Sequence, residues 1–162
     1  MLDWRIRAGR DFDWPQLQVL AEGAVEEAIS REGSMTLRRP GMPLPEDLWP
    51  PRSGYVAFRP VDGGLVGFVA VQFFEPTPHH SGRHADISLI VVAAEARGQG
   101  IGTALLQYAV EGAKRWGAAT VKLDVDEGNL AARKLYERAG FATISRLMGL
   151  QLLEPQQEPR TR

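Results

Sequence analysis

The chain has 162 residues, 44% of them hydrophobic and 24% charged, with a formal net charge of -1 and no cysteine. That size and balance predict one soluble domain with a real core. Disulfides, thiolate metal sites and a cysteine nucleophile are excluded, and no global charge field exists to draw in nucleic acid or an anionic membrane.

The opening run MLDWRIRAGRDFDWP carries acids and tryptophan from the start, unlike a signal peptide. No apolar run approaches the roughly 18 residues of a membrane span. The expected location is the cytoplasm. In DWRIRAG, Trp4, Ile6 and Ala8 alternate with charged residues, as in a strand. Asp13 before Trp14-Pro15 predicts a capped helix start, and the spacing of Leu17, Leu20, Ala21, Ala24, Val25 and Ala28 carries the helix to about Ser30. Residues 31–53 hold five prolines and two glycines, so a long irregular connection is expected there, with a lid or binding role open to it. GYVAFRP and LVGFVAVQFFE, around VDGG, predict a hairpin. PTPHHSGR is a loop, and HADISLIVV is a strand that becomes apolar enough for the sheet centre.

Three glycines follow within five positions, Gly98, Gly100 and Gly102, where a helix should begin. Ile101, Ala104, Leu105, Tyr108, Gly112 and Trp116 mark one face of that helix, which ends near Gly117. TVKLDV alternates as a strand, Asn129 to Ala139 is a short helix closed by Gly140, and FATISRLMGLQLL is strand-like. The predicted order is β-α-loop-β-β-β-α-β-α-β, an α/β (α+β) mixture with antiparallel hairpins in the middle. One domain spans residues 1–153, and residues 154–162, EPQQEPRTR, form a disordered tail.

The glycine cluster decides the functional reading. The first N–H groups of a helix lack intrahelical partners and lie at the positive end of its dipole, and glycines let a bulky anion come close. Thr103 adds a hydroxyl and Arg97 a cation. The Walker A pattern is excluded because no Gly-Lys-Ser/Thr ends the run. The G-x-G-x-x-G fingerprint is excluded because positions 103 and 105 are Thr103 and Leu105. A glycine-rich turn without ligand is the alternative.

Arg97-Gly98-Gln99-Gly100-Ile101-Gly102 fits R/Q-x-x-G-x-G/A, and NLAARKLYERAGF adds Asn129, Ala132, Leu135-Tyr136 and Gly140-Phe141 one helix and one strand later. In these paired motifs, and over residues 54–151, the chain resembles the GNAT N-acetyltransferase superfamily. The resemblance implies a mixed, mostly antiparallel sheet flanked by helices, with two splayed central strands forming an acyl-CoA cleft. It implies acetyl-CoA as acyl donor, with its pyrophosphate on the backbone of Gly98, Gln99, Gly100, Ile101, Gly102 and Thr103. The pantetheine arm would lie between strands 86–92 and 120–125 against Val91 and Val92, and Asn129 would touch the cofactor, cap its helix, or both.

Tyr136 takes the place of the family's general acid for the departing thiolate, with core packing as the competing role. The base is Asp86, Glu75, His84 or a water chain. By period two, Asp86 should share a face with Ser88, Ile90 and Val92. His79, His80 and His84 read as a solvated loop rather than a metal site. Trp14, Trp49, Phe73 and Phe74 are candidates for an acceptor pocket or for the core, and Arg38-Arg39 reads as a solvated face. The implied activity is direct transfer, in a ternary complex, to a primary amine on a small molecule or peptide. Neither nucleic acid nor membrane is an expected partner, and a homodimer is left open. The alternative is a non-catalytic acyl-CoA-binding sensor or scaffold of the same fold.

Overall fold

The computed structural model describes residues 3–29, 54–78, 82–146, 148 and 150. Five strands form one sheet in the order of the chain: β1 (Arg5–Ala8), β2 (Gly54–Phe58), β3 (Leu65–Phe74), β4 (His84–Val92) and β5 (Thr120–Leu123). The first three pairings are antiparallel and the last, β4 with β5, is parallel. The connection that makes the parallel pairing possible is the helix α2 (Ile101–Trp116). α1 (Trp14–Ile29) and α3 (Leu130–Arg138) are the other described α-helices, and short 3-10 turns lie at Asp11–Asp13 and Ala94–Ala96.

β3 is buried from Leu65 to Val71 because both of its faces are covered. On one face Val69 and Val71 pack with Ile101, Leu105, Leu106 and Ala109 of α2. On the other, Phe68 and Ala70 pack with Leu17 and Ala21 of α1. Burial of Leu- and Phe-sized side chains contributes roughly 1.5–3 kcal/mol each, so these two layers hold the helices to the sheet. Gly67 lets both β4 and α2 come close: a Cβ there would lie 2.8 Å from the Val91 carbonyl oxygen of β4 and 3.2 Å from Leu105 Cδ1 of α2. The apolar face of α2 is shifted from the expected stripe. Leu106, Ala109 and Ala113 are buried, while Tyr108 is 46% exposed and stands against Tyr55, ring centroids 5.7 Å apart.

Both predicted glycine stops are present. Gly117 and Gly140 adopt φ of 88° and 91°. Ala118 N–H donates to Ala113 C=O and Phe141 N–H to Tyr136 C=O, the long bond of a Schellman ending in each case.

Three further expectations are corrected. Asp13 does not cap α1. It is fully buried, takes both Arg7 guanidinium nitrogens at 2.7 Å, and accepts the Arg10 N–H at 2.8 Å. A guanidinium six residues back competes better for the carboxylate than the next helical N–H groups do. β5 stops at Leu123, two residues early. Of the strand expected over 141–153, the described residues Phe141–Arg146, Met148 and Leu150 form no strand, with Ile144, Met148 and Leu150 79%, 86% and 81% exposed; residues 147, 149 and 151–153 lie outside the described residues. The expected loop 31–53 with Trp49 and Arg38-Arg39, His79 and His80, and the tail 154–162 lie outside the described residues. No described helix is long and apolar enough to cross a membrane.

Candidate active site

At the end of β4, Ala93 N–H donates to Val66 C=O and the chain turns through a 3-10 segment, Ala94–Ala96, whose Ala96 is fully buried. Arg97 Nε donates back to the Val92 carbonyl at 3.1 Å, tying the loop to the strand. Gly98 and Gly100 then adopt φ of 74° and 80°, and Gly100 is the N-cap residue of α2. The first helical bond is Ala104 N–H to Gly100 C=O at 3.0 Å, so the N–H groups of Ile101, Gly102 and Thr103 precede it.

The three glycines have different causes. A Cβ on Gly98 or Gly100 would meet nothing within 4 Å, so crowding does not require glycine there; positive φ does. Gly102 has neither constraint. Its Cβ would make ordinary contacts at 3.6 Å with Leu135 and 3.7 Å with Val92. The space in front of the loop is open, as an anion site on bare backbone needs to be.

That space belongs to a cleft of about 1030 Å³. Its walls include Val91, Val92, Arg97, Gly98, Gly100, Ile101, Gly102 and Thr103, together with Asn129 and Tyr136 from the second motif. The structure therefore brings together two sequence motifs some thirty residues apart. Gln99 and Asp86 are not on its wall. Sequence reasoning missed Gln107, Glu111, Lys114 and Arg138. The first three continue the helical stripe that starts at Thr103, a spacing visible in the sequence. Lys114 is ion-paired with Glu111 at 2.7 Å. With Arg97, Lys114 and Arg138 against one carboxylate, the wall carries an excess of positive charge.

Asn129 caps α3, its Oδ1 accepting the Ala132 N–H at 3.2 Å. Tyr136 packs beside Phe141 with ring centroids 6.1 Å apart, and burial pushes its hydroxyl above the usual tyrosine range. The cleft wall takes Ile90, Val91 and Val92 from the part of β4 that lies beyond its pairing with β5, where the sheet forks in the sense that β4 runs on unpaired on that side. β4 and β5 pair from His84–Thr120 to Ile87–Leu123 and no further, while β4 continues to Val92.

Next to that fork β4 carries a bulge. Ala70 pairs with Leu89 and Val71 with Ile87, leaving Ser88 as the extra residue. The bulge reverses which face each side chain takes. Ala85 and Ile87 pack on the α2 side, and beyond the bulge so do Ile90 and Val92. Asp86 therefore faces away from α2, on the side of Leu89 and Val91, which corrects the face expected from uninterrupted alternation. Glu75 is engaged by Arg83 at 2.9 Å and is not on the cleft wall. His84 stacks on Phe74 at 4.9 Å, and Phe73 packs on Trp116 in the core. Trp14 packs against the α1 layer. Among the described residues no group of three or more His, Asp or Glu side chains is placed to hold a metal.

The sequence profile of the acetyltransferase (GNAT) family matches residues 23–141. Mycothiol acetyltransferase of Stackebrandtia nassauensis is 37% identical over 112 residues, 68% of this chain and 35% of that protein. The chain spans only about a third of the length of such curated relatives. Among solved structures, ribosomal-protein-alanine N-acetyltransferase from Brucella melitensis superposes with a TM-score of 0.68 at 24% identity, covering 93% of this chain and 100% of that one. The NatC complex bound to Gag peptide and CoA contains a chain that superposes with a TM-score of 0.73 at 18% identity, covering 90% of this chain and 89% of its own. At these identities the superpositions establish a shared fold. The family profile covers well over half of the chain, and the protein belongs to the acetyltransferase (GNAT) family.

Proposed function

We propose that the protein is an N-acetyltransferase that moves an acetyl group from acetyl-CoA to a primary amine by direct transfer. The observation that carries this reading is the cleft in which the glycine loop, the open edge of β4 and Tyr136 meet. The residues present fit the donor. A diphosphate suits the unpaired N–H groups of residues 101–103 at the positive end of α2, with Arg97, Lys114 and Arg138 around it. An extended, amide-bearing arm suits the β4 backbone beyond Ile87, where β5 no longer pairs.

The donor would supply an activated thioester, whose C–S bond is exchanged for an N–C bond on the amine while the sulfur leaves with a proton. The protein's part is to hold two reactants in line and to manage two protons. Tyr136 keeps its proton because burial disfavours the phenolate, so at neutral pH it is an acid available to the leaving sulfur. The proton lost by the amine has no unpaired carboxylate on the described cleft wall, since Glu111 is held by Lys114. It leaves through water or to Asp86 on the far face of the fork. Cytoplasmic operation accords with a chain that has no cysteine.

Calorimetry with acetyl-CoA, beside thiol-release assays over amino acids, polyamines, aminoglycosides and peptide N-termini, tests the reading. Binding with transfer supports it. Tight binding with no transfer to any amine would favour the non-catalytic acyl-CoA sensor, and absence of binding would overturn both.

A further inference from the structure

The face of the sheet opposite α2 carries a second feature at the fork. Gln72, Asp86 and Lys122 stand in one row across β3, β4 and β5. All three point away from α2, because their neighbours Phe73, Ala85, Val121 and Leu123 pack on the α2 side. The row is one rung before the last β4–β5 pairing, so the strands part directly beyond it. On one side α1 covers the face with Leu17 and Ala21 against Ala70 and Leu89. On the other side the next rung holds the stacked rings of Phe74 and His84, parallel within 10°, with Phe74 37% exposed.

Asp86 and Lys122 carry opposite charges on strands about 4.8 Å apart, where such side chains usually pair. No ion pair joins them. Asp86 Oδ1 is shielded from solvent and accepts no hydrogen bond. A buried carboxylate oxygen without a donor is costly and is a place where a partner is missing. A lone ammonium would satisfy Asp86 but would lie beside the Lys122 cation. A ligand with both an amine and an acid group would satisfy the two side chains at once, and a like-charged diamine would be disfavoured.

We infer that the amine acceptor carries an acidic group, and that it docks on the face opposite α2 with its amine at Asp86, its acid at Lys122 and its body along Phe74 and His84. This rests on the transferase reading above and adds the acceptor class to it. The amine would stand at the mouth of the fork, across the sheet from the donor cleft.

The test uses a panel of α- and ω-amino acids, each paired with the amine that lacks its carboxyl group. At least one amino acid should be acetylated with kcat/KM about tenfold or more above its paired amine. Lys122→Gln should reduce that preference to near unity, mainly through KM, while acetyl-CoA affinity measured by calorimetry is unchanged. Equal or better use of every paired amine, or an equal loss for both members of a pair in Lys122→Gln, would overturn the inference. NMR titration of the same panel reads the site without turnover, so it also serves if no acetyl-CoA is bound and the transferase reading fails. Amide shifts at Gln72, Asp86 and Lys122 with amino acids but not with amines, lost in both Lys122→Gln and Asp86→Asn, would sustain the docking site, and no such shifts would refute it.

Discussion

Substituting the three loop glycines one at a time separates backbone geometry from ligand access. Gly98 and Gly100 sit at φ of 74° and 80°, where an L side chain costs about 1–2 kcal/mol. Alanine recovers roughly 0.4–1 kcal/mol by restricting the unfolded chain, leaving a net loss of about 1 kcal/mol at each. Gly102 is helical and its added methyl makes only ordinary contacts, so alanine there should gain up to about 1 kcal/mol. The spread between positions two residues apart is therefore about 2 kcal/mol, or roughly 4–8 °C in Tm for a chain of this size. Gly100→Asp adds a charge to the same geometry. Asp tolerates the left-handed region better than most residues, and the helix dipole returns a few tenths of a kcal/mol, so the domain should stay folded. Against one negative charge about 5 Å away the side chain costs about 3 kcal/mol at an effective dielectric of 20, and about half that for so exposed a loop. Acetyl-CoA affinity should fall about 10- to 100-fold. Thermal melts and calorimetry on the same preparations decide the matter. A Gly102→Ala variant less stable than Gly100→Ala, or a folded Gly100→Asp that binds acetyl-CoA as tightly as the parent, would refute this account of the loop.

Tyr136→Phe should lower kcat by about 10²-fold with little change in acetyl-CoA affinity, and wild-type kcat in a transfer-limited assay would return Tyr136 to core packing. Because burial raises the Tyr136 pKa above its unfolded value, its contribution to stability is fully present below about pH 10 and is lost as pH rises through the folded value. Urea midpoints of wild type should therefore drop more steeply above pH 10 than those of Tyr136→Phe, and parallel slopes would contradict this. Asp13→Ala should cost about 2–3 kcal/mol in urea denaturation, since it strips the partly buried Arg7 guanidinium and the Arg10 N–H of their acceptor; a loss under about 1 kcal/mol would show that solvent replaces both bonds. Gly67→Ala should cost about 1–3 kcal/mol, because the methyl meets the Val91 carbonyl of the neighbouring strand as well as Leu105 and Ile101 of α2; unchanged stability would mean that the β4 backbone and α2 both give way at little cost.

What the chain's own residues determined about this protein is local. Helix periodicity and positive-φ glycines depend on neighbours within a few positions, so α2, its stop at Gly117, the stop of α3 at Gly140 and the Asn129 cap can all be read directly. The motif around Gly98–Gly102 is read in the same way, because a helix start and its unpaired N–H groups are set by the residues that form them. The meeting of that loop with Tyr136 required the β4–α2–β5–α3 path to fold back, yet the spacing of the two motifs already implied it. Other features depended on partners far away in the chain. Alternation along HADISLIVV places Asp86 beside Ile90 and Val92, but pairing with β3 extrudes Ser88 and sends Asp86 to the opposite face. TVKLDV has strand character throughout, but β5 ends where its pairing with β4 ends, at Leu123. Asp13 looks like a cap until Arg7 is brought across the turn to claim it. In each case local preference allowed more than one outcome. Contacts that exist only in the folded sheet selected between them, including the fork and the polar row on which the function is argued.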